Sequence, residues 1–300
     1  MRIKMSKNVK ISILTPTYNR AELLKNLYNS ILKNIRFGLD IEWLIMDDGS
    51  TDETKEVVQN FQKDFEIKYF YQENQGKMVA INKLVEYATG DYIIDCDSDD
   101  YFTDNAFEIM KEEIEKNQNE KDIYGLCFLK FDQNGNNMGN NFKNKKTTMF
   151  DLYFKEGETG EKAILFKSEI RKKYKHELEH GEKFVTEARM YHQIDEKYKL
   201  ICINEPIMIC EYQDKGYTKN IIKQFKENPF GYYKYFEEIL QRDFKGVTFN
   251  KRFYAIKHYI LFCYLTKSKK NLSKIRNIEN KILFSILYLP GMVKTRMRFK

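Results

Sequence analysis

The chain has 300 residues, 42 % of them apolar and 15 % aromatic, and a formal net charge of +7. That apolar content excludes a disordered chain and suffices for one large domain or two small ones. Five cysteines without CxxC spacing argue against a disulfide framework or a zinc centre and suggest reduced thiols.

The charge is unevenly placed. Residues 216–300 hold 19 Lys/Arg and 5 Asp/Glu, a net of +14, so residues 1–215 are net −7. The basic character belongs to the C-terminal segment and points to an anionic partner there. The N-terminus MRIKMSKNVKISIL is basic, but its apolar run is too short for a signal peptide. No run approaches the roughly 18 apolar residues needed to span a bilayer. A cytoplasmic chain is expected.

From the start, strand and helix alternate. VKISILT (Val9–Thr15) reads as a buried strand, and Ala21–Asn34 as a helix with Leu23, Leu24, Leu27, Ile31 and Ile35 at helical spacing. IEWLIMD (Ile41–Asp47) is the second strand. Ser50–Phe61 is a helix, with Ser50 and Glu53 as a capping box. IKYFYQ (Ile67–Gln72) is the third strand, Lys77–Ala88 the next helix and Asp91–Asp95 the fourth strand. Helix is expected over Asn105–Lys116, strand over Ile123–Asp132, and a short strand followed by helix from Ser168. A further helix is expected from about Thr186, then two short strands within Leu200–Tyr212 broken by Pro206. From Asn220 on the chain reads as helical. His176 and His180, four apart, read as a surface helix rather than zinc ligands.

Such alternation predicts an α/β fold with a mostly parallel sheet and right-handed crossovers. Ligands bind outside the carboxyl ends of such strands. The segments there are TPTYNR, DDGS, QENQGK and DCDSDD, all polar. The last puts Asp95, Asp97, Asp99 and Asp100 into six residues, a crowding that requires positive charge nearby. These acids are expected to face solvent at the strand end.

ISILTPTYNR, IMDDGSTD and NQGKMVAINKLVEYATGDYIIDCDSDD, in this order and spacing, resemble glycosyltransferase family 2. The resemblance is close over about Val9–Phe107 and looser to about Tyr212. It implies the GT-A fold and inverting transfer of a sugar from a nucleotide diphosphate donor. It also implies that Asp97 and Asp99 form the DxD motif, with Asp99 the more direct metal ligand and Asp100 the alternative. Carboxylate oxygens are hard donors suited to Mn²⁺ or Mg²⁺. A solvated acidic turn before the next helix is the competing reading.

Asp48 resembles the family's acid that reads the base, usually uracil, with Asp47 as its neighbour. Thr15, Thr17 and Tyr18 are expected beside base and ribose. Asn74 and Lys77 are expected near the diphosphate at a helix N-terminus. Arg20 reads equally well as a surface residue. The family's general base opens a helix in the second half, which here falls on Glu187, with Met190, Tyr191 and Ile194 as the apolar spacing that follows. Thr186 stands where an acid usually precedes the base, and Glu182 competes for the role.

Three segments are therefore expected. Residues 1–105 form a nucleotide-sugar-binding half, 106–215 an acceptor-binding half with the catalytic base, and 216–300 a basic aromatic helical extension. The expected partners are a UDP-sugar donor and a saccharide or lipid-linked acceptor, in bacterial surface-polysaccharide or envelope-glycan synthesis. The basic segment either lies peripherally on the inner face of the plasma membrane, against anionic lipid, or packs as a helical appendage. No nucleic-acid-binding motif is present. A non-catalytic nucleotide-sugar binder and a sugar-phosphate nucleotidyltransferase are the alternatives, the latter opposed by the lack of glycine in TPTYNR.

Overall fold

A computed structural model describes residues 9–62, 64–211, 221–268 and 271–299. The basic residues 1–8, Tyr212 and Asn220 lie outside them. The first half alternates as the patterns predict: β1 (Lys10–Thr17), α1 (Ala21–Asn34), β2 (Asp40–Asp47), α2 (Thr54–Gln59), β3 (Glu66–Tyr71), α3 (Lys77–Tyr87) and β4 (Tyr92–Asp95). There follow β5 (Asp100–Phe102), α4 (Ala106–Asn117), β6 (Ile123–Asp132), β7 (Lys146–Thr147), α5 (Met149–Phe154), β8 (Lys162–Lys167), α6 (Ser168–Arg171), α7 (Glu187–Ile194) and β9 (Lys199–Cys210). Among the described residues four α-helices follow: α8 (Ile221–Glu227), α9 (Pro229–Leu240), α10 (Phe249–Leu265) and α11 (Ile278–Phe299).

Ile11, Ile13, Trp43 and Ile45 pack with Leu24, Leu27 and Ile31 of α1 and Phe107 and Met110 of α4. On the other face Leu14, Leu44, Met46 and Ile93 pack with Ala80, Ile81, Leu84 and Val85 of α3. Strands covered on both faces need apolar side chains at successive positions, so β1 and β2 appear in the sequence as runs rather than alternations.

Among the described residues the strands form a nine-stranded sheet in the order β3-β2-β1-β4-β8-β6-β9-β5, with β7 pairing β9. β3, β2, β1 and β4 are mutually parallel. β8 runs antiparallel to β4 and β6, so the sheet is parallel in its first half and mixed beyond. The chain lays down β2 and β3 on one side of β1 and β4 on the other. That reversal makes a switch point at the carboxyl ends of β1 and β4, the place where open α/β sheets bind ligands.

The described residues cluster into two units. One lies within 1–149, 158–175 and 194–214 and contains the sheet; the other lies within 150–157, 176–193 and 215–300. The second has its own core, in which Tyr232, Phe236, Ile256, Tyr259, Phe262 and Phe284 are buried.

Several local expectations fail for physical reasons. The capping box at Ser50 does not form: α2 starts at Thr54, because Asp52 accepts from the Thr54 backbone N–H and hydroxyl at 3.1 and 2.5 Å. Ser50 instead accepts from the Asn19 N–H at 2.8 Å. Pro206 does not break β9. The strand passes through it with irregular register against Phe128, Leu129 and Lys130 of β6, as a bulge allows. His176 is buried in an irregular segment, and His180, at φ 49°, lies against the Phe230 ring in a tilted contact, so neither sits on a surface helix. The five cysteines are buried thiols, as expected.

The amino-terminal ends of the parallel strands are tied by one carboxylate. Glu42 of β2, fully buried, accepts from Ser12 Oγ of β1 at 2.5 Å and from the Thr89 N–H and hydroxyl before β4 at 2.5 and 2.8 Å. Lys68 of β3 sits 3.1 Å away. Burial opposes its charge, but the bonds from Ser12, Thr89 and Lys68 outweigh burial and hold Glu42 at about 2. A depressed folded-state pKa contributes stability above the ordinary value of 4.5, and that stability is lost as pH falls through about 2. Glu42→Gln is therefore expected to lose on the order of 3 kcal/mol at neutral pH. In urea titrations its gap from the parent should close as pH falls from the ordinary carboxylate range toward 2.

Candidate functional site

β4 ends at Asp95, and the loop that follows turns into β5 at Asp100. Each of its four acids has its own cation, drawn from a different part of the sequence. Arg171 Nη2 lies 4.0 Å from Asp95, and Lys77 Nζ lies 2.7 Å from Asp97. Arg20 Nη1 lies 2.8 Å from Asp99 and donates to Ser98 Oγ at 3.2 Å. Lys130 Nζ lies 2.7 Å from Asp100. The protein itself therefore supplies the positive charge that the crowding demands.

The expectation that these acids simply face solvent needs correction. Asp100 and Lys130 are both buried, because Asp100 belongs to a strand paired with β9 and not to an open turn. Asp99 is half-buried. Burial, with help from Asp97 and Asp100 and against the pull of Arg20, lifts it from 3.8 to about 6. Arg20, for which the sequence leaves a surface position equally open, ties this loop to the segment between β1 and α1.

The other strand ends complete the site. The Asp48 N–H donates to Thr17 O at 2.8 Å and the Gln72 N–H to Asp47 O at 2.9 Å, so Thr17, Asp48 and Gln72 follow one another across β1, β2 and β3. Asp48 is buried. One carboxylate oxygen accepts from Gln72 Nε2 at 2.7 Å and the Gln75 N–H at 2.8 Å, the other from the Gly76 N–H at 2.8 Å. Asn74 Nδ2 donates to Asp48 O at 3.0 Å. Asp48 thus shapes the loop that presents Lys77 to Asp97. Two glycines make this approach possible. Gly49 has φ 87°, and a Cβ there would meet the Asn74 nitrogen at 3.0 Å; Gly76 has φ 99°. Asp47 accepts from Tyr69 Oη at 2.6 Å and the Ser50 N–H at 2.7 Å, and so braces the same turn.

Thr15 accepts from Trp43 Nε1 at 2.9 Å in the core, away from any surface. Tyr18 is exposed. Thr17 Oγ1 and Gln72 Oε1 are buried and have no hydrogen-bond partner among the described residues. Buried polar atoms normally find partners, so these two mark a place that a ligand can complete.

Asp97 and Asp99 offer two hard-oxygen side chains beside Lys77 and Arg20, a charge balance that suits a divalent cation accompanied by phosphate. Mg²⁺ is typically held by one or two carboxylates with substrate phosphates filling the rest. The donor set of Asp97 and Asp99 fits that pattern. The carboxylate of Asp100 instead points to Lys130, near Glu161 and Cys210, a group that mixes a thiol with an ammonium.

Glu187 and Glu182 lie in the second unit. Glu187 opens α7 and accepts from Tyr191 Oη at 3.2 Å. Met190 and Ile194 are buried, as their spacing predicts. Glu182 is engaged elsewhere: its two oxygens accept from the Phe230 and Gly231 N–H groups, each at 2.7 Å, at the start of α9. Its carboxylate satisfies helix-end donors, a structural task that separates it from Glu187.

The sequence profile of glycosyl transferase family 2 matches residues 12–175. The chain is 34 % identical over 130 residues to an uncharacterized glycosyltransferase of Mycoplasma genitalium, covering 41 % of this chain and 44 % of that protein. It is 35 % identical over 128 residues to the GalNAc(5)-diNAcBac-PP-undecaprenol beta-1,3-glucosyltransferase of Campylobacter jejuni, covering 42 % of this chain and 40 % of that one. The chain thus spans less than half the length of either relative. Among solved structures, S. aureus TarS 1–349 in complex with UDP-GlcNAc superposes with TM-score 0.61 at 16 % identity, over 95 % of this chain and 81 % of that one. The mannosyltransferase PcManGT of Pyrobaculum calidifontis, in complex with GDP-Man and Mn²⁺, gives 0.57 at 14 % identity, over 97 % and 84 %. At such identities the likeness is one of fold, and the fold is GT-A.

The raised pKa of Asp99 has a direct consequence for stability. An acid raised from 3.8 to about 6 lowers stability once ionised at higher pH, and this effect is absent below 3.8. Asp99→Asn should therefore be more stable than the parent at neutral pH, by about 1–3 kcal/mol. Thermal melts should show the two proteins converging below pH 3.8. A destabilised variant at neutral pH would mean that the Arg20 pair contributes more than burial takes away.

Proposed function

The chain belongs to glycosyl transferase family 2, and we propose that it is a metal-dependent inverting glycosyltransferase that moves a sugar from a UDP-sugar to a saccharide or lipid-linked acceptor. The observation that carries this reading is the meeting of Thr17, Asp48, Gln72, Lys77, Asp97 and Asp99 at the strand ends around the sheet's switch point, with buried polar atoms there left for a ligand.

In this reading Tyr18 offers its exposed ring to the base, and Thr17, Asp48 and Gln72 line the nucleoside side. Thr15 supports them from the core. Lys77, with Asn74 on the same loop, faces the diphosphate. Asp97 and Asp99 hold Mn²⁺ or Mg²⁺, which when bound neutralises charge on the leaving diphosphate. Glu187 takes the proton from the acceptor hydroxyl. The acceptor oxygen then forms a bond to the anomeric carbon while the bond from that carbon to the diphosphate oxygen breaks, and the nucleoside diphosphate leaves. Attack opposite the leaving group inverts the centre.

The relatives support the substrate classes. The Campylobacter protein is named for glucosyl transfer to an undecaprenol-diphosphate-linked glycan, and TarS was solved with UDP-GlcNAc. Surface-polysaccharide or envelope-glycan assembly on the cytoplasmic face is the corresponding setting. No described helix is long and apolar enough to cross a membrane.

Incubation with a panel of UDP-sugars and Mn²⁺, scored by UDP release, tests the reading. One donor should be turned over, and chelation should stop it. Asp99→Asn should lower the rate at least about 100-fold. Glu187→Gln should lower it by about 10²–10⁴ while calorimetric donor binding is retained. Donor binding without turnover in the parent would favour a non-catalytic binder. Release from GDP-mannose alone would overturn the assignment of the base.

A further inference from the structure

The last helix, α11, is apolar on the side that packs and on the side that does not. Phe284 is buried in the helical core of the second unit, with Leu283, Leu287, Tyr288 and Met292 partly buried against it. The opposite side carries Ile278, Ile282, Ile286, Leu289, Val293 and Met297, at spacings of four, four, three, four and four residues. These six side chains are between 58 and 78 % exposed. At 100° per residue they fall on one stripe that runs the length of the helix, about opposite Phe284. A helix that is apolar all round is normally covered on every side.

The charge around the stripe says by what. Residues 282–293 contain no charged side chain. Lys274, Arg276 and Lys281 precede this stretch, and Lys294, Arg296 and Arg298 follow it, with Glu279 the one acid in α11. Basic residues at both ends disfavour a second copy of the helix as the cover. A parallel or an antiparallel pairing alike would set basic end against basic end, which repels. An anionic lipid surface meets both features at once: the apolar stripe enters the interface, and the flanking cations meet headgroups at about 1 kcal/mol each.

We propose that α11 is an in-plane membrane anchor, seated on anionic lipid through the stripe from Ile278 to Met297. It gives a location to the peripheral membrane association contained in the functional reading above, but it does not depend on the chemistry of transfer.

Vesicle co-sedimentation of the full chain tests it. The protein should sediment with phosphatidylcholine vesicles containing about 30 % phosphatidylglycerol at low salt, and much less with phosphatidylcholine alone. The variant Ile282→Glu/Ile286→Glu/Leu289→Glu, altered only at exposed positions, should lose roughly tenfold or more in lipid affinity. Its circular dichroism, melting temperature and UDP release from a soluble assay should match the parent. Equal vesicle binding by the variant, or no binding by the parent, would overturn the proposal. So would a concentration-dependent dimer, seen by sedimentation velocity, that the variant abolishes. Absence of UDP release with lipid binding intact would count against the transferase reading alone.

Discussion

Four carboxylates between Asp95 and Asp100 can share one loop because each is matched by a cation from elsewhere in the chain. Arg20 comes from just before α1, Lys77 from the start of α3, Lys130 from near the carboxyl end of β6 and Arg171 from α6. The rest of the site depends on this matching. Without it, the parallel half of the sheet would end in mutual repulsion. With it, the carboxyl ends of β1, β4 and β6 and the helices behind them are bound to one loop. The pairs differ in kind. Asp100–Lys130 is buried and joins strands, where removing one partner would strand a charge. Asp97–Lys77 and Asp99–Arg20 are less buried than that pair.

This division also sets acids of one uniform-looking motif in different surroundings. Asp100 is a strand residue, one step along β5, and its charge is consumed within the sheet. Asp99 is held above its ordinary pKa by burial, so its carboxylate gains from any added positive charge. Asp48 has a comparable double duty. Its carboxylate organises the loop from Gln72 to Gly76, and that loop in turn delivers Lys77. At the other end of the sheet Glu42 ties β1, β3 and the turn before β4 to β2.

Much of the fold was legible in the chain. Strands β1 to β4 and helices α1 and α3 announce themselves because burial on both strand faces and on one helix face demands apolar residues at fixed spacings. The four polar strand ends stand out for the same reason, since the apolar runs stop there. β5 was hidden because three residues are too few to show a pattern. β9 was misjudged because a bulge accommodates Pro206. The capping box at Ser50 yielded to Asp52, a competition between side chains for the same backbone groups that propensity alone does not rank. Arg20 was set aside although a signal existed: an arginine in the short polar segment that follows a strand end. Lys130 offered another, a lone lysine inside the apolar strand IYGLCFLKFD.

The amino-acid sequence by itself determined the α/β class, the family, the acidic loop and the basic character of the last helices. These depend on local composition and spacing, which the chain carries wherever it folds. Only the tertiary structure decided which cation meets which acid, that Asp100 is buried while Asp97 and Asp99 are less so, and that Glu182 serves a helix end. It also decided that one side of α11 stays bare. Each of these is a pairing between residues distant in sequence, and such pairings exist only once the strands have chosen their neighbours.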